Sequence, residues 1–429
     1  MNVDRVTLKF FIIQSMITVT QFLSAYLVIV LFVANKGAVD YGKWLLASSI
    51  ASLVAMIDFG IPRAWVNSEL TKNPKTSNFS DIECVNLFKY EFSRAICLMI
   101  IGILAAFILR LTEPEIAVLI LLFFVFQAFR IMSLALEAIT RSRSRVLGTG
   151  LILLESFLIP SSLTLLLLLN TSLEIMAAVI AIIELMLLTL FLQIVFSNRN
   201  IFGHGLALWN QSVEVKRLFK KHISQGRKFQ LFPLGNLSFN ELSHVLVGTF
   251  LGAETLTTYR ALKLIPNLFF SASGVVTTAF SVNLRRISGE HGKASVLKHK
   301  YVQTMLMTLA SLMTCLILSF LFFGNSFYLA HFESLGIASR DAFLLSIVSC
   351  TCVIWTSQLA ILSAQNQVDQ FSFQYLITNI AYSILVVLAI YKLGNTGFIM
   401  CLVVQAIFLA FFGYHEVIRE KEKRNEQYA

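Results

Sequence analysis

Charge is scarce in this chain. Of its 429 residues, 14% are Asp, Glu, Lys or Arg, where water-soluble domains run near 25%, so no ordinary water-facing surface can be made from them. Cysteine offers nothing to pair. Cys84 sits in a loop, while Cys97, Cys315, Cys350, Cys352 and Cys401 lie in apolar runs. Cys350 and Cys352 are two apart, which turns them to different faces of a helix and argues against a disulfide or metal site. No cleavable leader is expected either: the first apolar run, Leu8 to Ala34, is too long for a signal-peptide core, no small-residue cleavage site follows it, and it reads as a retained first span.

What the chain has instead is hydrocarbon. Hydrophobic residues make up 57% of it, and the mean hydropathy is +0.75. Apolar runs of about 20 residues recur from end to end, each long enough to cross a ~30 Å hydrocarbon core as a helix. The runs predict an all-α polytopic membrane protein with twelve transmembrane helices, at roughly 8–33, 42–67, 90–110, 114–137, 147–169, 174–196, 229–251, 258–282, 301–323, 341–363, 372–391 and 397–417.

The connections are lopsided. One side holds Lys72, Lys75, Lys89, Arg141, Arg143, Arg145, Arg199, Lys216, Arg217, Lys220, Lys221, Arg227, Lys228, Arg285, Arg286, Lys293, Lys298 and Lys300, and both tails are basic. The opposite connections hold Lys36, with Arg110, Arg340 and Lys392 at their edges. By the positive-inside rule, both termini are expected in the cytoplasm. The net charge of +10 is then topology and contact with anionic lipid, and no nucleic-acid partner is expected. The longest outer connection runs from about Gly324 to Arg340. That leaves no extramembrane domain for a catalytic apparatus, so the chain is not read as an enzyme and no cofactor is expected.

The longest inner connection, Ser197 to Lys228, falls near the midpoint. It predicts an N-terminal six-helix lobe at 1–200, an inter-lobe loop at 201–228, a C-terminal six-helix lobe at 229–417 and a tail at 418–429. The halves share a weak pattern. "GAVDYGKWLLASS" (37–49) follows the first span and "GAETLTTYRALKL" (252–264) the seventh. Gly37 with Gly252, Ala38 with Ala253 and Trp44 with Tyr259 coincide at one offset of 215 residues. Six spans per half insert both halves the same way up, a parallel repeat, and such repeats place substrate near the midplane.

The stretch "YGKWLLASSIASLVAMIDFGIPRAWVN" (41–67) resembles the second span of Wzx-type bacterial polysaccharide flippases of the MOP exporter superfamily. The matching positions are Tyr41, Gly42, Trp44, Asp58, Phe59, Gly60, Ile61, Ala64 and Asn67, and "GAETLTTYRALKLIPNLFF" (252–270) resembles the eighth span. The resemblance implies a MATE-like fold of two six-helix lobes around a central cavity. It also implies export of an undecaprenyl-pyrophosphate-linked oligosaccharide, such as an O-antigen unit of lipopolysaccharide, across the bacterial inner membrane. Other polysaccharide-assembly proteins become expected partners. Pro62 departs from the pattern. With no N–H for the carbonyl of Asp58, it predicts a kinked inner end to the second span, either a packing kink or a gate beside Asp58 and Arg63.

Polar groups inside the spans carry the remaining signal, because each must face a partner or a cavity. Gln127, Arg130, Glu137 and Arg141 fall on one face of the fourth span. Two readings stand: a structural Arg130–Glu137 pair, or a polar wall where Arg130 offers its planar fork to a pyrophosphate. The eighth span adds Arg260 and Lys263, and the seventh holds Asn236, Asn240, Glu241 and His244. Glu241 and His244 are three apart and suit a proton relay or a hydrogen-bonded clamp. Glu155 and Glu184 are single acids with no readable partner. The expected anion cradle is therefore Arg130, Lys263, Arg260, Arg63 and Gln127. The candidates for coupling to protons or sodium are Glu241, His244, Asp58 and Glu137. A multidrug or cation antiporter of the same superfamily would favour an acidic cavity, and a glycan polymerase or ligase would need larger outer loops.

Overall fold

The structure, a computed structural model, describes residues 5–56, 81–110, 114–143, 145–196, 231, 234–291, 300–323, 332, 335–351, 354–356, 358 and 368–428. These residues form twelve α-helices and no strand. They are α1 (Arg5–Lys36), α2 (Ala38–Ala55), α3 (Asp81–Leu109), α4 (Pro114–Arg143), α5 (Arg145–Leu168), α6 (Leu173–Phe196), α7 (Ser243–Leu251), α8 (Ala253–His291), α9 (Lys300–Phe323), α10 (Ser339–Ser349), α11 (Val368–Leu393) and α12 (Asn395–Tyr428). A π-helical turn, Ser238–Leu242, runs directly into α7. Helix throughout is what hydrocarbon requires, since it offers backbone N–H and C=O groups no water. Among the described residues six stretches are long and apolar enough to span a bilayer, in α1, α3, α4, α6, α11 and α12, and α5 and α9 carry shorter apolar lengths.

Two compact units emerge, residues 34–233 and residues 234–429 together with the chain's first 33. In the first unit α4 is the hub, packing on α2, α3, α5 and α6. It buries Phe123, Phe124, Ala128, Ile131 and Met132. The α3–α4 crossing is close because Gly102 has no side chain; a Cβ there would sit 2.5 Å from Cβ of Phe124. The edge of Trp44 meets Phe123 at 4.8 Å between ring centres. Arg94, which the sequence places near a membrane rim where snorkelling to water is expected, is instead held inside: it pairs with buried Glu91 at 2.5 Å and donates to the carbonyl of Ala55 at 2.6 Å. It thus closes the end of α2, whose last carbonyls have no intrahelical partner.

In the second unit α8 packs on α7, α9 and α10, while α11 packs on α7, the π turn and α12. Tyr26 of α1 belongs here too, its ring set edge-on to Phe332 at 5.5 Å. Backbone geometry repeats across the offset noted in the sequence. Gly37 has φ 88° and ψ 166°, and Gly252 has φ 91° and ψ 166°, a region essentially reserved for glycine. Each carbonyl then accepts the first bond of the helix that follows, from Tyr41 N at 3.3 Å and Leu256 N at 3.1 Å. A parallel repeat is written into the corners as well as the hydropathy.

Candidate functional site

In the first unit one group of charges converges on α4. Arg130 Nη1 makes an ion pair with Glu155 Oε1 of α5 and lies 3.8 Å from Glu184 Oε2 of α6. The Glu184 side chain is wholly buried, that of Glu155 is 10% exposed and that of Arg130 25%. Because α4 is the hub, one guanidinium on it reaches acids on two neighbouring helices. The two acids without a readable sequence partner are therefore partners of Arg130, whose expected role was to hold an anion. Glu137, two turns along α4, is also buried. Gln127 donates from Nε2 to Ser52 Oγ at 2.9 Å, which ties α4 to α2. Asp58 and Arg63, with the whole Asp-Phe-Gly-Ile-Pro-Arg stretch, lie outside the described residues.

In the second unit the centre is Lys263, on α8 and fully buried. The π turn makes room for it. An extra residue in the turn widens the ladder and leaves a carbonyl to be met by something else. Here the Phe239 carbonyl accepts from Lys263 Nζ and, at 2.6 Å, from Ser243 Oγ. Lys263 also donates to Ser243 Oγ at 2.9 Å. Its ammonium lies 4.1 Å from the Phe239 ring centre and 5.1 Å from that of Tyr259, within cation–π range. Tyr259 donates its hydroxyl to Ser243 Oγ at 2.9 Å and stands 3.2 Å from the Tyr382 hydroxyl of α11. His244 Nδ1 is 3.7 Å from Glu241 Oε2, so the expected juxtaposition of these two is present.

Arg260, one turn before Lys263, is part-exposed, and its Nε is buried without an acceptor. Among the described residues neither Arg260 nor Lys263 has a carboxylate at ion-pair distance. Below this cluster lies a cavity of about 50 Å³ lined by Asn236, Phe239, Phe270, Trp355, Tyr375 and Gln405, among others, large enough for a few waters. Its polar rim is already knitted together. Tyr375 donates to Asn236 Oδ1 at 3.4 Å, and Gln405 donates to Asn379 Oδ1 at 2.5 Å. Among the described residues no group of three His, Cys, Asp or Glu is placed to hold a metal ion.

No protein-family model and no curated protein sequence matches the chain. Solved structures do. The MATE multidrug transporter DinF-BH superposes with a TM-score of 0.66 at 12% identity, over 98% of this chain and 96% of that one. The eukaryotic MATE transporter AtDTX14 gives 0.62 at 16% identity, over 96% of each chain. The lipid II flippase MurJ, in an inward closed conformation, gives 0.62 at 14% identity, over 95% of this chain and 87% of that one. The fold is that of MATE transporters and MurJ. Among the described residues the chain adopts the expected all-α architecture of twelve helices in this fold, as a multi-pass membrane protein. At such identities the MATE and MurJ likeness is one of backbone, and it carries no residue of theirs onto this chain.

Sequence reasoning missed Ser243, Tyr259, Tyr382 and the Phe239 carbonyl. Hydroxyls in apolar runs are common helix-to-helix stitches, and nothing in their spacing marks these four as one group. The one usable signal is Lys263 itself, a lysine inside an expected span, one turn beyond Arg260.

Proposed function

We propose that the chain is a flippase that carries an undecaprenyl-pyrophosphate-linked oligosaccharide, an O-antigen or similar repeat unit, between leaflets by alternating access. The membrane is the bacterial inner membrane, and the direction is from the cytoplasmic to the periplasmic leaflet. One observation carries this reading: Arg260 is a permanent cation, part-exposed, with no acid beside it among the described residues. A guanidinium so placed suits a pyrophosphate, which it can bind through two parallel bonds. Arg130 and Lys263, two other cations expected in the cradle, have their charged ends engaged inside the protein, with Glu155 and with the Phe239 carbonyl and Ser243. The existence of a lipid II flippase with this backbone supports the reading, since lipid II is the named cargo of that neighbour.

A second reading is a multidrug or cation antiporter. The surplus of acid over base around Arg130 favours it, with Glu155 and Glu184 against one guanidinium, as do the MATE neighbours. The two separate cleanly in cells. Replacing Arg260 with Gln in a strain that depends on this chain should cut surface glycan at least tenfold and pile up single lipid-linked units in the inner leaflet. Arg260→Lys should restore part of it. Normal surface glycan in Arg260→Gln, with lost resistance to a cationic dye, would assign the chain to the antiporters.

A further inference from the structure

Among the described residues two kinds of cation within the helices are built differently. Arg130 and Arg94 are guanidiniums, which keep their proton under all ordinary conditions, and both are tied to carboxylates. Lys263 is a primary amine, which exists in two charge states, and it has no carboxylate at ion-pair distance among the described residues. Its oxygen partners are of two sorts only. The Phe239 carbonyl accepts and never donates, whereas the Ser243 hydroxyl does either.

That pairing satisfies both states of the lysine without moving a helix. As an ammonium, Lys263 donates to the Phe239 carbonyl and to Ser243 Oγ. Ser243 then turns its own proton to the carbonyls of Phe239, at 2.6 Å, or Asn240, at 3.2 Å. As an amine, Lys263 still donates to Phe239, and its lone pair receives the Ser243 proton once that hydroxyl has turned. The Phe239 and Tyr259 rings favour the cation but do not bond to it covalently or by a fixed donor. An ion pair would have pinned the charge; this cage leaves it free to change.

The hydroxyls also form a line. From Lys263 Nζ to Ser243 Oγ is 2.9 Å, from there to Tyr259 Oη 2.9 Å, and from Tyr259 to Tyr382 Oη 3.2 Å. All four side chains are buried, so the line is shielded from bulk water along its length. The Tyr382 ring at its far end packs on Phe239 with ring centres 5.1 Å apart.

We propose that Lys263 is the proton-carrying group of the second unit, loaded and emptied along Ser243, Tyr259 and Tyr382. Loading starts from a hydronium ion that reaches the Tyr382 end of the line. Tyr382 takes a proton from it, releasing water, and passes its own to the Tyr259 oxygen. Tyr259 hands its proton to Ser243, and Ser243 hands its proton to Nζ. One N–H bond forms at Lys263, each hydroxyl ends with the O–H bond it began with, and one positive charge has moved from water to the lysine. Release runs the same steps backwards. The other charged or titratable groups facing this site are Glu241 and His244 across from α8, Tyr259 and Arg260 on α8 itself, Tyr382 on α11 and Cys401 on α12. This assignment rests on the transporter fold and not on the identity of the glycan.

The test uses the full chain in liposomes on a solid-supported membrane, with the proton itself as probe and no glycan present. A rapid pH jump displaces charge as the site loads, and the displaced charge per protein is read. Lys263→Arg, which keeps the cation and its bonds but cannot change state, should lose at least tenfold in displaced charge, as should Lys263→Met. A merely structural lysine would be rescued by arginine, so wild-type displacement in Lys263→Arg overturns the proposal. Tyr382→Phe, which opens the line at its far end, should keep the amplitude and slow the relaxation at least threefold. If neither lysine variant is recovered folded, Tyr259→Phe decides. A relaxation slowed tenfold supports the line, and an unchanged rate overturns it. Loss of the signal in Glu241→Gln while Lys263→Arg keeps it overturns the proposal and returns the proton to the carboxylate. Because no glycan is used, a failure here leaves the Arg260 experiment untouched, and the reverse holds too.

Discussion

The first and second units share a corner and part company over charge. Both turn from one helix into the next at a glycine with nearly the same φ and ψ, Gly37 and Gly252, and both bond that glycine's carbonyl into the helix that follows. Down that helix the registers diverge. Trp44 corresponds to Tyr259, and Ser48, which merely bonds the carbonyl of Leu45 at 3.0 Å, corresponds to the buried Lys263. Among the described residues the first unit ties Arg130 of α4 and Arg94 of α3 to acids; the second carries Arg260 and Lys263 on α8 and surrounds Lys263 with rings, hydroxyls and a carbonyl. A duplicated backbone tolerates this because side chains in the bilayer interior need only a satisfied partner, and a carboxylate is one kind among several.

Breaking the acid-bound cation should have the largest effect. Arg130→Met strands Glu155 and Glu184 without their counter-charge, and removing one member of a buried ion pair costs about 3–5 kcal/mol. Thermal unfolding in detergent should show it. Adding Glu155→Leu to Arg130→Met should recover a good part of the loss, whereas a second variant with the same midpoint as the first would show that the pair is not the unit of stability. Next come the corners. Gly37→Ala and Gly252→Ala force a side chain into a glycine-only conformation at about 1–3 kcal/mol each, with open space around both glycines, so strain alone sets the penalty. Equal losses in the two variants would support the repeat as a physical equivalence; a loss in only one would confine it to shape. Smallest is Gln127→Leu, which removes one neutral bond to Ser52 and should cost about 1 kcal/mol, read from the same unfolding curves.

Much of the fold is legible in the chain because hydrocarbon leaves few alternatives. A run such as Leu173 to Val195 can only be a helix, and twelve such runs predict the twelve helices found among the described residues. The corner glycines are legible too, since an offset of 215 residues joins them to matching neighbours. The site is legible in its charges and illegible in their pairing. Glu155 and Glu184 sit 25 and 54 positions after Arg130, on separate helices, and helix periodicity says nothing about which faces of three helices meet. The π turn escaped notice for a different reason: one extra residue in a turn leaves the composition of the seventh span unchanged, yet it frees the Phe239 carbonyl that Lys263 bonds.

The grouping of α1 with residues far along the chain has a consequence for how the protein is made. Residues up to Val33 share a compact unit with residues from Leu234 onward, and Tyr26 rests on Phe332. α1 thus belongs with helices made some two hundred residues after it, which at about 5–20 residues per second is a wait of roughly 10–40 s. Through that interval α1 is a lodger in the lipid, an apolar rod that carries Gln14, Thr18, Gln21 and Ser24 before the helices it will join exist. Its assembly depends on a later arrival, the helices from Leu234 onward.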